Sequence, residues 1–88
     1  MTFQGRLKRC LKAGNLTVAD LARWFNRPDP TVRGWVLDGR QPAGPAKDRD
    51  DLLRSLAWLE RRIAVSNGFP VPRMSQRERK AYLERMRP

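Results

Sequence analysis

The hydrophobic residues of this chain recur every three or four positions, and no stretch of any length alternates between apolar and polar residues. This spacing predicts α-helices and no sheet. In the first segment Phe3, Leu7 and Leu11 lie four residues apart, and Gly14 is a residue type that ends helices. A helix is therefore predicted from about Phe3 to Ala13. Its apolar stripe is expected to pack into the core, the alternative being a helix that lies on a membrane surface.

The second helix begins with a capping motif. Thr17 and Asp20 have the spacing of a capping box, in which each side chain accepts a hydrogen bond from the backbone of the other. The helix is predicted to run to about Phe25. The residues expected to be buried on it are Leu21, Ala22 and Phe25.

The third helix is short and follows at once. Asn26 tolerates the left-handed conformation of a tight turn, and Pro28 prevents the second helix from continuing. We expect Asp29 to cap a helix from about Pro30 to Leu37, with Gly39 ending it. The residues expected to be buried on this helix are Val32, Trp35 and Val36.

A connector rich in proline and glycine, residues 40–47, leads to the longest predicted helix, from about Asp48 to Val65. Its expected core residues are Leu52, Leu53, Leu56, Leu59 and Ile63. An extended segment then leads to Ser75 and Glu78, a second capping box that opens a basic helix with Ala81, Tyr82 and Met86 at helical spacing. The fold class predicted is all-α, a compact five-helix domain.

The charge of the chain is strongly one-sided. Its 88 residues carry a formal net charge of +10. Residues 1–14 and 67–88 each contribute +4, whereas the stretch between them is nearly balanced. Such an excess indicates a polyanionic partner such as a nucleic acid, the alternative being a merely solvated surface.

Several classes of protein are disfavoured by what the sequence lacks. There is no histidine, so no imidazole can act as a metal ligand or general base. Cys10 is the single cysteine, which excludes an intrachain disulfide and fits a reducing cytoplasm. No nucleotide-binding glycine motif and no apolar run of membrane-spanning length is present. We therefore expect a cytoplasmic protein that is not an enzyme and uses no cofactor or metal.

Residues 16–42, LTVADLARWFNRPDPTVRGWVLDGRQP, carry a resemblance. This stretch resembles the helix-turn-helix of the lambda-repressor/Cro-like (XRE) DNA-binding family. The positions that match are Leu16, Thr17, Leu21, Ala22, Asn26, Thr31, Val32, Trp35, Gly39 and Pro42. Gly44-Pro45-Ala46 and the following Leu52-Leu53 resemble the ending of phage-type and HigA-like antitoxin members. The sequence departs from the pattern in three ways: Val36 stands where glutamate is usual, Pro28 where a serine commonly caps the helix, and there is one spacing difference before Pro42.

The resemblance implies a helix-turn-helix over about residues 17–38 and a set of DNA contacts. The base-reading positions it implies are Asp29, Thr31, Arg33 and Gly34. The phosphate contacts it suggests are Thr17, Arg23, Arg27 and Arg40. Arg33 is the strongest candidate, since arginine can pair with both acceptors of guanine. Gly34 is unusual inside a helix. Two explanations are considered for it: the helix approaches DNA closely at this position, or the position is a relaxed surface site.

The expected function is that of a transcriptional repressor of a phage or antitoxin-like operon. The alternatives are a DNA-packaging protein similar to a small terminase, an excisionase-like architectural protein, and an RNA-binding or protein-interaction module. Because palindromic operators match two-fold proteins, a homodimer on double-stranded DNA is expected.

The chain is divided into residues 1–66, the DNA-binding domain, and residues 67–88, a basic strap and helix. Either the fourth helix or the segment from about Phe69 is the expected dimer interface, although that segment could equally cap its own core. Trp24 is expected to face outward, because Phe25 already occupies the core position of its helix. It could then contact the fifth helix or a second subunit.

Overall fold

Five α-helices follow one another in the computed structural model, which describes residues 2–86. They are α1 (Phe3–Ala13), α2 (Val18–Phe25), α3 (Asp29–Leu37), α4 (Ala46–Ala64) and α5 (Gln76–Met86). This part of the chain contains no strand. The predicted all-α, five-helix fold class is confirmed.

The core lies where the apolar faces of the helices meet. Leu7, Leu21, Leu56 and Leu59 are completely buried at its centre. Phe3 and Leu11 pack against the same cluster and are partly buried, so the stripe of α1 faces the core as expected. On α4, however, Leu53 is 39% exposed. The prediction for Leu53 was wrong because a helix turns about 100° per residue, and Leu52 already occupies the inward direction.

Two helix starts differ from their predictions. Pro28, not Asp29, is the N-cap residue of α3, and it provides no side-chain cap. Asp29 is instead the first residue of the helix, and its carboxylate pairs with Arg33 one turn later. The expectation that Asp29 caps α3 was therefore wrong. Helix α4 begins two residues early, at Ala46, because Pro45 is already extended at its N-cap.

The C-terminal segment packs on its own chain. Phe69, Val71 and Leu83 are buried in the main core, and Asn15 donates a hydrogen bond of 2.8 Å to the carbonyl of Val71. Residues 67–86 therefore complete the core, which is the second of the two roles expected for them.

Within residues 2–86, no helix combines the length and the apolar character needed to cross a bilayer.

Trp24 is central to this arrangement. Only 2% of it is exposed, and its indole Nε1 donates to the carbonyl of Ser55 at 3.1 Å. Its ring meets Phe69 edge-on with centroids 6.3 Å apart. The prediction that Trp24 faces outward was wrong, because α4 and the segment before α5 cover the side of α2 that appeared unoccupied.

Candidate nucleic-acid interface

The start of α2 has the capping box expected of it. Thr17 Oγ1 accepts from the Asp20 amide at 3.1 Å, and Asp20 Oδ2 accepts from the Thr17 amide at 2.9 Å. Thr17 remains exposed at this helix end. Unpaired amides of the first turn and the helix dipole make this a suitable place for an anionic group.

A tight turn joins α2 to α3. Asn26 ends α2 in the left-handed conformation, with φ of 55°, as predicted. The Arg27 amide donates to the Ala22 carbonyl at 3.0 Å, which closes the turn. Arg27 Nη1 lies within 3.3 Å of the Phe25 and Asn26 carbonyls, so its guanidinium is held against the turn.

The inner side of α3 is firmly anchored. Val32, Trp35 and Val36 are buried, as predicted. The Trp35 ring makes edge-on contacts with Phe3 and Phe25, at centroid distances of 5.6 and 6.2 Å. These contacts orient α3 about its own axis and leave the opposite side of the helix facing outward.

The Val36 carbonyl, near the end of α3, accepts from Gln4 Nε2 at 2.8 Å. Gln4 thereby joins α1 to the C-terminal turn of α3. Sequence reasoning did not single out Gln4, because a half-buried glutamine near a chain start has no recognisable pattern.

The outer side of α3 presents Thr31 and Arg33, both exposed, on its two flanks. Leu37 lies between them and is 63% exposed. Arg33 Nη2 is 3.2 Å from Asp29 Oδ2. This ion pair is open to solvent and worth only about 0.3–0.5 kcal/mol, so the guanidinium can leave it for a stronger acceptor.

Gly34 lies in the middle of this side and is buried, which excludes a relaxed surface glycine. The group that covers it is Arg40: a Cβ atom built on Gly34 would lie 3.2 Å from Arg40 Cδ. The Arg40 amide also donates to the Gly34 carbonyl at 3.2 Å. Because Gly34 has no side chain, the Arg40 side chain lies across the outer face of α3 while remaining 76% exposed.

Arg23 lies apart from these residues. Its guanidinium is 3.6 Å from Asp20 Oδ1 and 3.3 Å from Gln76 Oε1 on α5. The structure therefore brings Asp29, Thr31, Arg33, Gly34 and Arg40 together at α3 and leaves Arg23 against α5. Thr17 and Arg27 are at the two ends of α2.

Arg79 on α5 is a residue that sequence reasoning missed. It is only 8% exposed, and it donates to Asp20 at the start of α2. Its spacing with Leu83 and Met86, four and then three residues, was the available signal. The predicted apolar face included Ala81 instead, and Ala81 is exposed. Arg79 was not considered for it because arginine rarely lies on the inner side of a helix.

Comparison of the chain with protein-family models, with curated proteins and with solved structures found no match in any of the three.

Proposed function

We propose that the protein is a sequence-specific double-stranded DNA-binding transcriptional regulator that acts as a homodimeric repressor by occupying its operator. The observation that carries this proposal is the two-sidedness of α3. Its inner side is fixed by Trp35 and its neighbours, whereas its outer side is open and carries two arginine side chains, Arg33 and Arg40. The proposal assigns the chain no catalytic step and no cofactor.

The outer side of α3 suits a DNA groove in both shape and chemistry. The major groove is about 12 Å wide and admits an α-helix. Arg33 and Arg40 are each able to donate two hydrogen bonds to guanine, and Leu37 offers an apolar contact for a thymine methyl group. Thr31 offers a hydroxyl at the other flank. We therefore assign Arg40 to base reading, rather than to the phosphate contact expected from the sequence.

Phosphate contacts are assigned to the α2 ends. The exposed Thr17 and the free amides of the first turn of α2 would hold one phosphate, and Arg27 would approach another beside the turn. Such contacts set the position of the protein on the duplex without reading its sequence. A regulator of this kind acts in the cytoplasm, where the Cys10 thiol stays reduced.

A packaging or architectural DNA-binding role is the second candidate, and one observation favours it. Lys8, Arg9 and Lys12 share the exposed side of α1, and none of them has a carboxylate partner among residues 2–86. Cations that are not tied to acids can grip DNA phosphates without any preference for sequence. The two candidates differ in how much of the affinity depends on α3.

The test is selection of bound duplexes from a random DNA pool at about 150 mM salt, where binding through phosphates alone is weak. The wild-type chain is compared with Arg33→Ala and Arg40→Ala. Arg77→Ala is the matched control, because Arg77 is exposed on α5 and removes the same charge. The repressor proposal expects a palindromic motif that loses definition at particular base pairs in the first two variants and persists in the control.

Recovery of duplexes without any shared sequence would overturn the repressor proposal and favour packaging. A motif that is equally sharp in all four proteins would overturn the assignment of base reading to the two arginines of α3.

A further inference from the structure

The outer side of α4 carries a row of exposed residues at alternating spacings of four and three. The row consists of Lys47, Asp51, Arg54, Trp58, Arg61 and Val65, all of which are exposed. Residues spaced in this way share one side of a helix and form the contact line of paired helices. Here the line faces away from the core residues Leu52, Leu56 and Leu59.

Two members of the row are large apolar side chains that remain exposed to solvent. Trp58 is 40% exposed and Val65 is 65% exposed. The Arg62 guanidinium lies 5.3 Å from the centre of the Trp58 ring and covers only one side of it. An aromatic ring in this position is the type of residue that anchors protein interfaces.

The row carries one acid, Asp51, among three basic residues, Lys47, Arg54 and Arg61. Asp51 lies near the start of α4 and Arg61 near its end, with Arg54 between them. The whole helix is nearly neutral, whereas residues 1–14 and 67–88 each carry +4. The outer side of α4 therefore offers an acid that can face a base of a second copy, which α1 lacks.

We propose that two copies of the chain pair through this row, with their α4 helices antiparallel about a two-fold axis at the level of residue 56. Each residue of the row then faces another residue of the row. Asp51 meets Arg61 of the second copy, Arg54 lies over Trp58 of the second copy, and the Lys47 stem covers its Val65. The contact extends for about 27 Å along each helix, and every pairing occurs twice.

This register is selected by charge. Moving the axis by about half a turn toward the start of α4 brings Arg54 opposite its own copy. Moving it by a similar distance toward the end brings Arg54 opposite Arg61. Both shifts place like charges face to face, which disfavours association.

The other surfaces suit a second copy less well. The C-terminal segment already covers its own core through Phe69, Val71 and Leu83. The exposed side of α1 carries Lys8, Arg9 and Lys12, which repel the same side of another copy. The outer side of α3 must stay open for DNA. This last argument and the need for a dimer rest on the proposed function, whereas the pairing along α4 does not.

The test measures self-association without DNA, by sedimentation velocity from about 1 to about 300 μM, in wild-type protein, three interface variants and two control variants. Asp51→Arg and Arg61→Asp each place like charges together twice and should raise the dimer dissociation constant at least about tenfold. The double variant exchanges the two charges, and its dimer dissociation constant should return to within about threefold of the wild-type value. Lys8→Asp and Glu84→Arg make the same changes of charge on α1 and α5 and should leave association unchanged.

Several results would overturn the proposed interface. These are a wild-type chain that stays monomeric over the whole range, single variants that associate like wild type, and a double variant that is not restored. Circular dichroism checks that each variant is folded. Trp58→Ala should independently weaken association, since Trp58 lies outside the core cluster. If the double variant restores dimerisation but the DNA selection yields no shared motif, the repressor proposal is rejected and the proposed dimer interface is retained.

Discussion

Arg79 of α5 donates from its Nε to Asp20 Oδ2 at 3.1 Å, although the two residues are 59 positions apart in the chain. The side chains are 10% and 0% exposed, so this is a buried ion pair. Asp20 Oδ2 also caps α2 through the Thr17 amide, and Arg79 Nη2 donates to the Asn15 carbonyl at 2.7 Å. One guanidinium thus links the C-terminal helix to the start of the candidate DNA-binding unit.

Arg79→Met is expected to destabilise the protein by about 3 kcal/mol, because it removes the buried cation that hydrogen-bonds to Asp20 and leaves the carboxylate only the partly exposed Arg23 guanidinium at 3.6 Å. Urea unfolding followed by circular dichroism measures this loss. Asp20→Asn combined with Arg79→Met should lose less stability than the sum of the single changes, since no charge then remains buried. Arg77→Ala, two positions away and exposed, should change stability by less than about 0.5 kcal/mol. Additive effects of Asp20 and Arg79 would contradict the coupling.

Leu83→Ala is expected to lower the free energy of unfolding by about 2–5 kcal/mol, because it opens a cavity beneath a side chain that is 1% exposed. Leu37→Ala removes the same atoms from a residue that is 63% exposed, so its effect should stay within about 0.5 kcal/mol. Thermal unfolding of the two variants makes the comparison. Equal losses would mean that residues 67–86 do not complete the core.

Gly34→Ala is expected to preserve the fold, because the atom that the new methyl group meets at 3.2 Å is Cδ of the flexible Arg40 side chain. Removing a glycine from a helix interior should offset part of this contact, by up to about 1 kcal/mol. If Arg40 reads bases, Gly34→Ala should keep its thermal stability, whereas the DNA motif that it selects from the random pool should differ from that of the wild type. If folded Gly34→Ala selects the same motif as the wild type, then Gly34 is not needed for base reading.

Cys10 is expected to react slowly with alkylating reagents in the native protein. Burial raises the pKa of its thiol to about 11, with a further contribution from the charge of Glu60. Relative to an exposed thiol at 9.0, a rise of this size lowers the thiolate fraction at pH 8 about 100-fold. Iodoacetamide labelling with and without urea measures the difference. Equal labelling rates in both states would contradict the burial of Cys10.

The same shift in pKa predicts the direction of a pH effect. The unfolded chain loses the Cys10 proton near pH 9 and the folded chain near pH 11. The contribution of the buried neutral thiol to the free energy of unfolding is therefore fully present below pH 9, and it is lost as the pH rises toward 11. Cys10→Ala, compared with wild type by thermal unfolding across this range, should lack this contribution.

The helices themselves were largely predictable, because their signals are local. Thr17 and Asp20 define a start within four residues, and Asn26 followed by Pro28 defines a stop. The error at Asp29 is also local in origin: a proline at the N-cap leaves the aspartate free to pair with Arg33, and side-chain capping is then absent. The error at Leu53 arose because spacing predicts which residues share a side, but a helix with two adjacent leucines allows two choices of inward direction.

The candidate site was predicted in part. Thr31 and Arg33 lie exposed on α3, where the resemblance placed them. The position of Arg40 over Gly34 could not be predicted, because it depends on the path of the chain after α3 ends. Arg23 was assigned to phosphate binding, yet its contacts with Asp20 and Gln76 depend on where α5 packs.

By itself the sequence determined the number of helices, the turn between α2 and α3, and the excess of positive charge at both ends. Capping, turn formation and helical periodicity act over a few residues and can be deduced from their order. Only the tertiary structure decided that Trp24 is buried, that Arg79 reaches Asp20, and that Trp58 remains exposed on α4. Those outcomes depend on which apolar surfaces meet when all five helices pack together, and the free energy of that packing is shared among residues far apart in the chain.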